Sequence, residues 1–229
     1  PTGANRHAAG TYPLPLGSRD GEITWGVEAI MLSAGTNLEW LRDDLGLIST
    51  AAESHDVASQ CDDTGGVVFV PALLGLGTPR WDYGARGTLL GLTRGSGRPH
   101  VVRAVLEGVA HRGADLLESA RADSGIDIDT VRIDGGMSAN PTFVQALADA
   151  ANCPIEVAPV AESTTIGAAF MAGLGVDVFS SMDDLDALWT PATVVEPRDP
   201  SSHAQRRERW SGALDRAGGW HSDLSALEF

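Results

Sequence analysis

The sequence contains no lysine: all 16 of its basic side chains, set against 31 acidic ones, are arginine. That absence excludes the GxxxxGK[ST] phosphate loop, the phosphate-binding lysine of protein kinases, and Schiff-base or pyridoxal chemistry, because each needs an ammonium on a flexible stem. A net charge of −15 excludes the basic stripe that nucleic acid or an anionic membrane surface requires, so neither is expected as a partner. Arginine-only usage in an acidic chain fits a GC-rich coding sequence and says little about function. The two cysteines, Cys61 and Cys153, lack CxxC or Cys/His ligand spacing, which excludes a structural zinc site and a disulfide framework and predicts reduced thiols in a cytoplasmic protein. No metal site is predicted. The longest apolar run, Gly167 to Val176, is far below the ~20 residues of a membrane span, and the opening Pro1-Thr2-Gly3-Ala4 predicts no secretory leader. With Pro1 in place of Met, the chain is expected to begin inside a longer gene product.

What is present is an ordinary globular composition, 43% hydrophobic over 229 residues, enough for one domain with a real core. Turn residues 17–21 between two β-prone runs predict a hairpin over about 8–30. Leu38, Leu41, Leu45 and Ile48 lie at helical spacing and predict a helix over about 33–47. A strand at 67–70 then leads into a loop, 71–87, dense in Gly, Pro, Trp and Tyr. Val102, Val105, Leu106, Val109 and Leu116 mark one face of a long helix over 99–124, with Pro99 in its first turn and Gly125 as its stop. A strand at 130–133, a loop 134–139 and a helix from Asn140 or Pro141 to Asn152 form a β-loop-α unit. A short strand at 155–157, a small-residue helix over about 163–174 and a final helix over about 201–217 follow. Strands alternating with helices predict an α/β layer structure.

The turn from Asp134 to Asn140 is the best candidate site. Gly135 and Gly136 let the backbone approach a ligand with no Cβ in the way, and the helix that follows points unpaired N–H groups and a positive dipole end at it, which favours a nucleotide. Residues 136–140 also fall one glycine short of a GxSxG elbow, a weak hydrolase signal. The helix with Thr165, Gly167, Ala168, Ala169 and Gly173 has so little bulk that its backbone is expected to pack closely on a neighbour. His100 and His111 are expected at the surface or in a cap. Glu107 is expected as a buried, hydrogen-bonded structural group. Arg206, Arg207 and Arg209 are expected on a solvated face.

Residues 67–87, VVFVPALLGLGTPRWDYGARG, resemble a stretch of the FGGY carbohydrate kinases, glycerol kinase branch. So do 91–95, GLTRG, and 103–108, RAVLEG. Asp134-Gly135-Gly136-Met137-Ser138-Ala139-Asn140 is similar to that family's adenosine motif, and 162–169, ESTTIGAA, to its ETTALGAA helix. The resemblance implies an actin-like ATPase domain of the ribonuclease H-like type, a mixed sheet flanked by helices, with the whole of 1–229 forming the C-terminal domain and a nucleotide-binding core over about 31–180. It implies ATP, carried with Mg²⁺, as the phosphoryl donor to a hydroxyl of glycerol. Gly135, Gly136 and Asn140 then match nucleotide contacts, as do Gly35 and Glu39 in the AGTNLEW segment, where Glu39 stands for the family's Gln.

The family's catalytic Asp lies in an upstream GDQ motif that does not occur here, as do its polyol-binding residues. No catalytic residue is therefore expected in this chain. The polyol is expected to bind mainly to an N-terminal domain, and this chain alone is expected to be inactive. Another polyol or a pentose such as xylulose is the alternative substrate, and a non-catalytic actin-like module the alternative class. Homo-oligomerisation is expected through the apolar cleft face of an isolated half.

Overall fold

The computed structural model describes residues 7–19 and 21–222. An antiparallel hairpin, β1 (Tyr12–Arg19) and β2 (Glu22–Glu28), is followed by two short helices, α1 (Thr36–Asp43) and α2 (Glu53–Ala58). A second hairpin, β3 (Val68–Val70) and β4 (Thr88–Leu90), leads into α3 (Arg98–Ser124). At 27 residues α3 is roughly 40 Å long. Next come β5 (Val131–Ile133), a 3₁₀ turn (Gly136–Ala139), α4 (Pro141–Ala151), β6 (Ile155–Val157) and α5 (Ser163–Gly175). The order ends with α6 (Met182–Asp186), β7 (Thr193–Val195) and α7 (His203–Ala217). β6 is the middle strand of a mixed sheet, parallel to β5 and antiparallel to β7.

The core is organised around α3. Its Val102, Val105 and Leu106 meet Leu38 and Leu41 of α1, Val57 of α2 and Phe69 of β3, all buried. Each such side chain contributes about 1.5–3 kcal/mol on leaving water. One turn on, a Cβ on Gly108 would stand 2.1 Å from the Phe69 carbonyl oxygen, so helix and strand come this close only through glycine. Further along, Ala110 packs with Val144 and Leu147 of α4 and Ile155 of β6. Trp210, Ala213 and Leu214 of α7 close the other side against Val70, Ala72 and Leu76.

The long helix, its left-handed stop at Gly125 (φ 67°) and the hairpin stand where the sequence predicts them. α1 is shorter than predicted. Asn37 Nδ2 donates to the carbonyls of Ser33 (3.1 Å) and Ala34 (2.8 Å), which holds residues 33–35 in a turn, and Gly46 at φ 61° closes the other end. The 71–87 loop is an internal clasp: Asp82 accepts from the backbone N–H of Gly84, Ala85 and Gly219, and Trp81 Nε1 donates to the Gly10 carbonyl at 2.8 Å.

Three expectations are corrected. Arg207 of α7 is not solvated: its guanidinium donates to Asp115 at 2.5 Å and to Glu118 at 3.0 Å, and the side chain is 14% exposed. His111 is not a surface group. Its ring stacks on Trp210 at 5.1 Å, and burial, reinforced by the Arg207 charge, lowers its pKa from 6.5 to about 3. Of the glycines in the small-residue helix α5 only Gly173 packs closely, a Cβ there standing 2.7 Å from the Phe179 ring, while none of the helix's side chains is buried and a Cβ on Gly167 or Gly175 would meet nothing within 4 Å.

Candidate nucleotide-binding site

β5 delivers the chain to Asp134, and Gly135 reverses it with φ 83°, a conformation that glycine alone adopts without strain. Asp134 Oδ2 accepts from the Ser163 N–H at 3.1 Å and the Gly135 N–H donates to the Ala161 carbonyl at 3.2 Å, so the start of α5 supports the turn from below. The turn then ends on Asn140, whose Oδ1 accepts from the Phe143 N–H at 3.1 Å and caps α4. Its Nδ2 donates to Ser54 Oγ at 2.8 Å, tying the cap to α2, and His55 Nδ1 and Thr142 Oγ1 meet beside it at 2.9 Å.

The second wall is the entry to α1. Gly35 and Glu39 lie one helical turn apart and so share a face, and both are exposed. A Cβ on Gly35 would meet only Met137 Cγ, at 3.9 Å, so Met137 is where the two predicted segments come together; its side chain also packs against the α1–α3 core. A Cβ on Gly135 or Gly136 would meet nothing within 4 Å. Neither Gly35 (φ −59°) nor Gly136 is needed for a left-handed backbone or for internal packing. The room these glycines leave is not used by the protein itself, which is what a cradle for a ligand's flat body requires.

Of the five residues predicted from the motifs, Gly35, Gly135, Gly136 and the exposed Glu39 border this open cradle, and Asn140 is the buried bracket that shapes it. Sequence reasoning missed Met137 and Ser54. Met137 stood inside the motif as a spacer, and Ser54 gives no local signal, because its partner is 86 positions away. Among the described residues no group of three or more His, Cys, Asp or Glu is placed to hold a metal, and no helix is long and apolar enough to cross a membrane.

A strand, a glycine turn and a capped helix facing a second helix entry form the candidate cradle, and the fold that carries it is of the actin-like ATPase type. The fold is that of a glycerol kinase from Plasmodium falciparum solved with ADP: the TM-score is 0.84 at 33% identity, covering 92% of this chain and 42% of that one. A xylulose kinase from Lactobacillus acidophilus shares the fold at 22% identity, with a TM-score of 0.77 over 92% of this chain and 42% of that one. The profile of the FGGY family of carbohydrate kinases, C-terminal domain, matches residues 7–176. Glycerol kinase from Rhodopirellula baltica is 42% identical over 201 residues, which is 87% of this chain and 37% of that protein. Glycerol kinase 2 from Thermotoga maritima is 40% identical over 88% of this chain and 41% of its own length. The chain therefore belongs to the FGGY carbohydrate kinases and corresponds to their C-terminal domain. It spans about two fifths of the length of the relatives it matches.

Proposed function

We propose that this chain is the ATP-binding half of a glycerol kinase, a phosphotransferase that moves the γ-phosphoryl group of ATP to a glycerol hydroxyl. The observation that carries this reading is the open glycine cradle at Gly35, Gly135 and Gly136, on a chain 42% identical to a glycerol kinase. ATP supplies the phosphoryl group and carries Mg²⁺ with it. In this reading the glycine backbone at 135–136 and the entry to α1 receive the nucleoside, Met137 forms the floor between them, and Asn140 fixes the turn by capping α4. Glu39, exposed on the Gly35 face, faces the ribose hydroxyls rather than the phosphates, because a carboxylate accepts hydrogen bonds from hydroxyls and repels phosphate oxygens.

Phosphoryl transfer depends on holding the attacking hydroxyl in line and on stabilising the transferred charge. The base and the polyol contacts are assigned to an N-terminal domain, so the chain alone binds nucleotide without turning over. The proposed location is the cytoplasm, where ATP is available. Calorimetric titration with ATP·Mg²⁺ tests the cradle: the 229-residue chain binds, and Gly136→Leu, which fills the open space, does not. Equal binding by both removes the site, and glycerol turnover by the chain alone removes the division of labour. A substrate panel on the longer protein separates glycerol from other polyols and pentoses.

A further inference from the structure

A groove of about 960 Å³ runs between α3, α4 and α7, in the size range of small-molecule sites, and none of Gly35, Glu39, Gly135, Gly136 or Asn140 lines it. We propose that this groove binds a small phosphate monoester, at a site separate from the nucleotide cradle. The proposal does not depend on the kinase reading.

The lining carboxylates on the helices are already matched. Glu107 pairs with Arg103 at 2.9 Å and Asp149 with Arg198 at 3.0 Å, while Asp62 and Asp63 line the groove from the loop that follows α2, where Asp63 Oδ1 accepts from the Gly65 N–H. Two guanidinium groups of α7 are not matched in this way. Arg206 donates to neutral oxygens, Ser202 Oγ and the carbonyls of Asp149 and Asp199, with the Asp199 carboxylate no nearer than 3.9 Å. Its Nε–H is buried without an acceptor. Arg209, exposed, has no hydrogen-bond or ion-pair partner among the described residues. The two stand three residues apart and so lie side by side on α7, with exposed Gln205 next to Arg209.

His111 adds a third kind of donor. Its Nδ1 lies 3.4 Å from Arg207 Nη1, and a guanidinium can only donate, so Nδ1 is the acceptor and the ring proton sits on Nε2. Burial keeps that imidazole neutral, leaving an N–H that faces no acid–base change near neutral pH. Arg206 Nε, the Arg209 fork and His111 Nε2 are all donors, so a complementary ligand is rich in acceptors, and paired guanidinium groups favour a phosphoryl dianion. Small apolar residues, Ala104, Ala146 and Ala150, line the same groove and suit an organic body beyond the phosphate.

The test is calorimetric titration of the 229-residue chain with phenyl phosphate and, separately, inorganic phosphate. The expected result is tighter binding of phenyl phosphate, weakened roughly tenfold or more by Arg209→Gln, since a charge-assisted contact is lost. Arg209 holds no hydrogen-bond or ion-pair partner among the described residues, so its variant keeps the wild-type thermal midpoint. Gln205→Glu, which sets a carboxylate beside Arg209, weakens binding in the same direction. Gly136→Leu leaves phenyl phosphate affinity unchanged while removing ATP binding. The proposal is overturned by absence of binding to the wild-type chain, by equal affinity in both α7 variants, or by loss of phenyl phosphate binding in Gly136→Leu, which would assign the ligand to the nucleotide cradle.

Discussion

At the scale of single residues, the polar side chains that matter most are those buried and fully committed. Asn140 is 7% exposed and uses both ends of its amide, one on the Phe143 N–H and one on Ser54. Asn140→Ala removes the cap and is expected to cost about 1–2 kcal/mol, read as a lower urea midpoint with an unchanged slope. The same variant should weaken nucleotide binding by letting the turn relax, and an unchanged ATP affinity would show that the cap is structural only. His111 carries a pH prediction whose sign follows from linkage. Its folded pKa of about 3 lies below the unfolded value near 6.5, so the unfolded chain takes up the proton first as pH falls. The stability held by the neutral imidazole is complete above pH 6.5 and declines by up to roughly 1.4 kcal/mol per pH unit from there down to pH 3. His111→Gln should flatten that limb of a pH–stability profile, and an identical limb in both proteins would count against the assignment.

At the scale of elements, α3 and α7 are locked by one carboxylate. Asp115 accepts from Arg112 at 2.7 Å, Arg207 at 2.5 Å and Trp210 Nε1 at 3.0 Å, while Arg112 Nη2 also reaches the Thr78 carbonyl at 2.6 Å. Arg112 is 2% exposed, so Asp115→Ala leaves a buried cation without its counter-charge and is expected to cost about 3–5 kcal/mol. Hydrogen exchange should then rise first in α7, the element held by the lost bonds; a uniform rise would mean that α7 has no separate stability. The elements themselves were largely legible before any coordinates. Periodic apolar faces announced α3, and the Asn140–Pro141 pair placed the start of α4 to within one residue. Gly135 and Gly136 were marked by the turn itself, whereas Gly35 was reached only through the family resemblance. The Arg207–Asp115 latch was not legible: the partners are 92 positions apart, and an arginine on an amphipathic helix looks the same from sequence whether water or a carboxylate awaits it. The missed helices α2 and α6 are 6 and 5 residues long, too short for a helical period to show.

At the scale of the whole molecule, the described surface carries apolar faces that a finished globular protein covers. Leu16, Ile23 and Trp25 of the first hairpin are 64%, 52% and 61% exposed, and a two-stranded ribbon of this kind is marginal by itself in water. Its base is fastened, because Asp123 accepts from the N–H groups of Ala9 and Thr11 and the Thr78 hydroxyl oxygen accepts from the Ile30 N–H, but its far end stands away from the core. Helix α5 has no charged residue and no buried one, with Met171 half exposed and Val176 and Val178 beyond it nearly bare. Burying such surface is favourable by about 25 cal/mol for each Å² of apolar area, so self-association is the expected behaviour of the chain when it is alone. Sedimentation velocity of the 229-residue chain is therefore expected to show association that grows with concentration, and the double variant Leu16→Glu, Trp25→Glu to shift it toward monomer. The two positions lie on exposed strand sites, so the change should leave the thermal midpoint nearly unmoved. A wild-type chain that stays monomeric at tens of micromolar would mean that these faces are stable in water as they stand, and the case for an oligomer would fall with it.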